Sequence, residues 1–199
     1  MAAKPAGDIY TEIVRLGHSK LLQSQTPTGV DPATIEFVTG FSSEYDVYLF
    51  DIKNLVMVTV DTNLIMQFLV SAGWVGGNGS YAWTQYYTWT NPVGFGVGGQ
   101  AAGGGAESYY IRIGSAQGYA YPLYGYVEVS ANPALLFQGA IWHTTHLQTS
   151  IYQISCTGGG QMCDPTYAGY QIMGVRFLST SGLISRNTTI RCYGMKKGL

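Results

Sequence analysis

The sequence predicts an all-β protein, and three patterns support this fold class. Residues 45–52 alternate aromatic or β-branched side chains with polar ones, as in a strand with one face on a core. From residue 20 onward, strand-like runs are separated by turn residues at intervals of roughly 8 to 15 residues. No long helical period interrupts them. About ten antiparallel strands need two packed sheets or a closed barrel, so we predict an antiparallel β-sandwich, with a jelly roll as the favoured arrangement.

The first segment, residues 8–22, fits either a short helix or a strand. It is separated from the rest by a turn-rich stretch at 23–29 and is more apolar than a disordered tail. We interpret it as an arm that docks on a neighbouring copy or, equally well, as an edge strand of the same domain. The predicted division is an arm at 1–19 and a sandwich domain at 20–199. The residues assigned to arm contacts are Ile9, Tyr10, Ile13, Val14 and Leu16.

The predicted strands follow in order along the remaining chain. They cover residues 21–25, 34–39, 45–58, 63–70, 81–90, 109–113, 124–129, 135–142, 150–156, 172–178 and 188–193. Alternation assigns one face of three of these strands to the core. These core residues are Tyr48, Phe50 and Ile52, then Leu64, Met66, Phe68 and Val70, and finally Met173, Val175 and Phe177. The glycine-rich stretch 94–105 lacks a phosphate-loop ending and is predicted to be a flexible loop.

The composition favours a subunit that packs against other subunits. Charged residues make up only 11% of the chain, against about 25% in ordinary soluble domains. The surface is therefore expected to be uncharged and polar, with little charge to repel neighbouring copies. A net charge of -1 with scattered basic residues argues against nucleic-acid binding. No apolar run resembles a secretion signal or a membrane span, so we expect assembly in a cytoplasm and no membrane insertion.

Two small clusters contain residue types that bind metals or form disulfides. His143 and His146 are the only closely spaced histidines, and on a strand a spacing of three puts them on opposite faces, so no metal site is predicted. Cys156 and Cys163 flank a glycine-rich stretch interpreted as a turn. They could form a disulfide across a hairpin, or remain two free thiols, as expected in a reducing compartment. Three cysteines in all do not form a disulfide scaffold, and no cofactor is predicted.

Catalytic motifs are missing from the sequence. There is no Gly-x-Ser-x-Gly nucleophile elbow, and the scattered acids show no spacing that would establish a glycosidase pair. We therefore expect a protein that is not an enzyme.

The largest group of candidate binding residues lies on the predicted aromatic strand at residues 81–90. Alternation places Trp83, Gln85, Tyr87 and Trp89 on one face together with Tyr81. Flat rings beside amides form sugar-binding platforms, so a surface for host glycans is one interpretation. An aromatic core face or a subunit interface is the other. A second aromatic cluster, Tyr119, Tyr121, Tyr124 and Tyr126, has the same two interpretations.

Several segments resemble, in order, a family of tailed-phage virion accessory proteins. They are Leu21-Leu-Gln-Ser24, Ala33-Thr-Ile-Glu-Phe37, residues 40–52, Asn63–Phe68, Met173-Gly-Val-Arg-Phe177, residues 179–185 and Ile190-Arg-Cys-Tyr-Gly194. The resemblance covers about residues 21 to 194 but leaves residues 74–118 unmatched. It implies a jelly-roll-like decoration, head-fibre or tail-fibre protein on the virion exterior. It also implies contacts with capsid or tail proteins and a homo-oligomer, for which we favour a trimer.

Overall fold

The computed structural model describes residues 19–59, 62–77, 79–91, 94–96, 100–103, 108–114, 121–131, 138–147 and 153–196. Its strands are β1 (Ser19–Gln25), β2 (Thr34–Phe37), β3 (Val47–Leu55), β4 (Leu64–Val70), β5 (Gly73–Trp74), β6 (Tyr81–Asn91), β7 (Gly94–Gly96), β8 (Gln100–Gly103), β9 (Ile111–Arg112), β10 (Leu123–Ser130), β11 (Gly139–Leu147), β12 (Gln153–Met162), β13 (Gly174–Ser179) and β14 (Thr189–Met195). A single 3-10 turn at Pro165–Tyr167 is the only helical element among these residues.

Eight of the strands have the order of a jelly roll. One sheet contains the run β1-β14-β3-β10, and the facing sheet contains β2-β13-β4, with β9 and the short β5 both pairing with β4 on the side away from β13. Early and late strands therefore alternate within each sheet, and every described pairing is antiparallel. This order confirms the predicted all-β sandwich.

The other strands are insertions into this scaffold. β5 to β8 lie in the chain between β4 and β9, and β11 and β12 lie between β10 and β13. β11, β12 and β6 extend the first sheet beyond β10, and β7 and β8 both pair with β6 at its far edge. The added width of the first sheet therefore comes from these two insertions.

Aromatic side chains join the two sheets. The rings of Phe37, Phe50 and Phe177 meet edge to face, with centroids 5.2, 5.3 and 6.1 Å apart. Tyr48 is fully buried, and its hydroxyl accepts from the amide of Ser42 at 2.6 Å and donates to the carbonyl of Ser42 at 2.9 Å. These contacts hold the predicted core face of β3 against the second sheet.

The predicted core faces agree with the structure except at one residue. Tyr48, Phe50 and Ile52 are buried, as are all four predicted residues of β4, Val175 and Phe177. Met173 is 46% exposed, because β13 begins only at Gly174 and Met173 precedes it. In the stretch predicted to be a loop, β7 and β8 pair with β6, so residues 94–96 and 100–103 are strands rather than flexible connections.

The largest correction concerns the glycines between Cys156 and Cys163. They are not a turn: β12 runs straight through Gly158, Gly159 and Gly160 and pairs with β11 on one side and β6 on the other. Both cysteines are free. Cys163 follows Cys156 by seven residues along one extended segment, about 23 Å, so a disulfide between them is ruled out in this fold.

The predicted arm residues Ile9, Tyr10, Ile13, Val14 and Leu16 lie outside the described residues, as does Tyr119. Residues 19–22 of the ambiguous segment belong to β1, which continues to Gln25, into the predicted turn-rich stretch, and pairs with β14 at the edge of the larger sheet. No helix in the described part of the chain is long and apolar enough to cross a membrane.

Candidate functional site

A groove runs along β12 on the outer face of the larger sheet. The inward residues Ile154, Cys156 and Met162 are buried, so the alternate residues face away from the core. Three consecutive outward positions carry small side chains or none, namely Ser155, Thr157 and Gly159. The neighbouring strands carry larger side chains beside them, so β12 forms the floor of a trench. We call this feature the β12 groove.

Strand register fixes the walls of the β12 groove. Each floor residue is paired on one side with β11 and on the other with β6. The three rows are Ile141-Gly159-Thr84, His143-Thr157-Tyr86 and Thr145-Ser155-Thr88. The walls stand two strand spacings apart, about 10 Å, and the three rows extend over about 13 Å. At the Gly159 end the groove opens into a depression of about 660 Å³, a size typical of small-ligand sites.

Hydroxyl groups and one imidazole line the middle of the groove. His143 Nδ1 lies 2.9 Å from Thr157 Oγ1, and His143 Nε2 lies 3.5 Å from Ser155 Oγ. Ser155 Oγ is in turn 3.3 Å from Thr145 Oγ1. Burial lowers the pKa of His143, which favours the neutral ring, with one nitrogen donating and the other accepting. The floor therefore offers both donors and acceptors.

Aromatic rings flank this polar floor. Tyr86 stands on the β6 wall and is 47% exposed. On the other side, the ring of Tyr126 lies against that of His143, with centroids 6.1 Å apart and planes tilted by 36°. Burial raises the pKa of Tyr126, and the charge of Glu128 adds to this, so its phenol keeps its proton. Tyr124, on the same face of β10, is 48% exposed and its hydroxyl lies 3.5 Å from Asn54 Oδ1.

The strands that build this face are almost free of charge. Glu128 is the only charged residue in β6, β10, β11 and β12. It lines the depression at the Gly159 end, where none of the lining residues is Lys or Arg. The β12 groove thus presents hydroxyls, phenols and a neutral imidazole next to one carboxylate. Nothing in it suits a phosphate or another anionic group.

The structure places the predicted glycan residues on the opposite face of β6. Gln85 is only 1% exposed, so its amide does not reach a surface platform. Tyr81, on the same face, is fully buried. Its hydroxyl accepts from the amide of Phe68 at 2.8 Å and donates to the carbonyl of Val75 at 3.1 Å. These contacts fix which face of β6 is inward.

The three predicted rings on that face are partly buried. Trp83 packs against the hydrophobic core, with the Arg112 guanidinium 6.0 Å from its ring centroid. Tyr87 and Trp89 have intermediate exposure. The wall residue that sequence reasoning did not select is Tyr86, on the other parity. Sequence alone did not single it out, because tyrosines lie on both faces of β6.

His143 and His146 do not come together as metal ligands. His146 is 2% exposed and faces inward, whereas His143 faces the groove, as the spacing of three on a strand predicts. Among the described residues, no three His, Cys, Asp or Glu side chains come together as a metal site.

Comparison with known proteins finds little. No family model matches the chain, and no curated protein matches it. A structure of infectious bursal disease virus, Gx strain, aligns at 9% identity and a TM-score of 0.14, covering 88% of this chain and 40% of that one. The VP2 subviral particle of the same virus aligns at 7% identity and a TM-score of 0.13, covering 89% and 41%. The chain thus spans about two fifths of either protein, and TM-scores this low establish no shared fold.

Proposed function

We propose that this chain is a structural protein of a tailed-phage virion, without enzymatic activity. In this proposal it is an oligomeric decoration, head-fibre or tail-fibre component on the particle exterior, with a trimer favoured, and it contacts other capsid or tail proteins. It is assembled in the host cytoplasm. The jelly-roll strand order and the ordered segments that resemble phage accessory proteins both support this proposal. The observation that carries it is a row of apolar residues across the outer face of the larger sheet, in which Leu21 is exposed; we call it the apolar strip.

The apolar strip lies on the outer face of β1, β14 and β3. Leu21 pairs with Tyr193, and Tyr193 pairs with Leu49; one row further, Met195 pairs with Val47. Leu21 is 52% exposed and Tyr193 and Met195 are partly exposed, whereas Leu49 and Val47 are buried, at 1% and 8%. Removing the exposed half of a leucine side chain from water is worth about 1 kcal/mol per copy, and each copy repeats the contribution in a symmetric assembly.

The apolar strip also lies where the N-terminal residues enter the sheet. β1 begins at Ser19, which pairs with Met195 at one end of the strip. Residues 9–16, the predicted contact segment, immediately precede this point in sequence. A subunit contact through the strip would therefore be continuous with a contact through the arm.

Light scattering on the purified protein tests this proposal. The wild type should be an oligomer, and Leu21→Asp should shift it toward monomer because a carboxylate would be buried without a partner. Val30→Asp is the control, since Val30 is 84% exposed in the β1–β2 connection and away from the strip. A wild type that is monomeric at all concentrations, or equal effects of both substitutions, would contradict the proposed assembly surface.

Particle incorporation tests the arm separately. Phage that express the chain without residues 1–18 should yield particles depleted of this protein, as measured by quantitative mass spectrometry. Full copy number in such particles would show that the arm makes no essential contact.

A further inference from the structure

We propose that the β12 groove binds a neutral saccharide chain, which stacks on Tyr86 and hydrogen-bonds to Thr157, Ser155 and His143. This inference does not depend on the virion assignment. It concerns a different face of β6 from the one that sequence patterns suggested. It also uses a different part of the outer sheet face from the apolar strip, because β12 lies three strands from β3, about 14 Å.

The pattern of polar groups fits sugar hydroxyls. Each ring hydroxyl both donates and accepts, and the groove offers hydroxyls and an imidazole that do the same. The apolar face of a pyranose ring stacks on a flat aromatic ring, and Tyr86 presents such a ring at the edge of the hydroxyl floor. The groove is open at the surface and extended along the strand, which suits a chain rather than a single compact ligand.

An extended peptide fits this groove less well. The backbone amides and carbonyls of β12 are engaged on both sides, by β11 and by β6, so no free sheet edge is present for an added strand. A peptide would therefore have to bind through its side chains alone, whereas a saccharide can pair its own hydroxyls with the polar groups of the groove.

The charge distribution selects neutral sugars over acidic ones. No Lys or Arg occurs in the four strands around the groove, and Glu128 would repel a carboxylate or sulfate at the Gly159 end. A sialylated or uronic-acid polymer would therefore find no cationic side chain in these strands, and Glu128 would repel its carboxylates.

The proposed site lies on the inserted strands, outside the eight strands with jelly-roll order. All three groove rows lie on β11, β12 and β6, and none lies on the eight strands with jelly-roll order. The scaffold strands carry the apolar strip, whereas the inserted strands carry the polar, aromatic groove. The two features meet at the depression, whose lining includes Val47 of β3.

The test is a glycan array with neutral and acidic polysaccharides, followed by titration calorimetry with the best neutral oligosaccharide. The wild type should bind neutral chains and not acidic ones. Tyr86→Ala should weaken binding by about tenfold or more, the loss expected for one stacking ring. Tyr170→Ala is the matched control, because Tyr170 is also exposed, at 37%, but lies after the 3-10 turn.

A second variant blocks the groove without removing a ring. A Cβ at Gly159 would have no atom closer than 3.7 Å, so Gly159→Val should fold while filling the floor, and it should abolish binding. Melting temperatures check that each variant is folded. The proposal is overturned if no neutral saccharide binds, if only acidic ones bind, if a protein ligand is captured at the groove instead, or if folded Tyr86→Ala and Gly159→Val bind like the wild type. None of these results would alter the oligomer or particle measurements.

Discussion

Gly158 and Gly159 are neighbours in β12 that should respond oppositely to alanine. Gly158 faces the core, where a Cβ would lie 2.5 Å from the carbonyl oxygen of Thr84 and 2.6 Å from Cε2 of Trp142. Ordinary carbon contacts need about 3.5–4.0 Å. Trp142 is 1% exposed, so its ring has no room to retreat. Gly158→Ala therefore forces a shift of a strand backbone, of a buried indole, or of both.

The magnitude follows from two opposing effects. Overpacking a core costs about 1–3 kcal/mol or more, while replacing glycine by alanine in a strand gains about 0.5–1 kcal/mol of backbone entropy. We expect Gly158→Ala to lower the free energy of unfolding by about 2 kcal/mol. For a chain of this size that is a fall in melting temperature of about 4–8 °C.

Gly159→Ala is the matched control, one residue along. Its Cβ would face the groove, with its nearest neighbours Ala140 O at 3.7 Å and Ile141 Cγ2 at 3.8 Å, both ordinary contacts. Without overpacking, only the favourable loss of backbone entropy in the unfolded chain remains, so the melting temperature should stay constant or rise slightly. Thermal unfolding followed by circular dichroism measures both. If Gly158→Ala melts with the wild type, or both variants fall equally, the assignment of the two faces of β12 is wrong.

Two further predictions concern buried groups. Tyr81→Phe should cost about 1–3 kcal/mol in urea unfolding, because it leaves the Phe68 amide and the Val75 carbonyl without their buried partner; no loss would contradict those hydrogen bonds. Burial raises the pKa of the Cys192 thiol to about 12, well above the ordinary value near 8.5. The native thiol should therefore resist alkylation at pH 9, where the unfolded thiol reacts readily, and this group's contribution to stability should be lost as pH rises from about 8.5 toward 12. Mass spectrometry of alkylated native and denatured protein checks this, and rapid native labelling of Cys192 would refute it.

Much of the scaffold was predictable from the sequence because its strands have one clear apolar face. In β3 and β4 alternation identifies the buried residues directly. The prediction that Met173 is a core residue was wrong, because alternation shows which residues share a face but does not show where a strand begins.

β12 was not predictable, because glycine is a poor strand former and three in a row favour a turn. Gly158 is tolerated in the strand for a tertiary reason, the close approach of Trp142 and Thr84, which local sequence does not contain.

The two faces of β6 were ambiguous for a different reason. Both faces carry tyrosine, and a tyrosine is as suitable for a core as for a surface when its hydroxyl finds a partner. Tyr81 finds two backbone partners inside, whereas Tyr86 remains 47% exposed. Only the location of β4 and β5 decides between them. The predicted platform was therefore assigned to the inward face, and the β12 groove lies on the other.

Immunogold electron microscopy of intact phage particles, with antibody against this chain, tests the proposed function most directly. The proposal predicts gold at regular positions on the exterior of the head or tail, at a density that matches an oligomeric component. Particles of full infectivity that carry no label, with all of the protein found in the soluble fraction of the lysate, would contradict it.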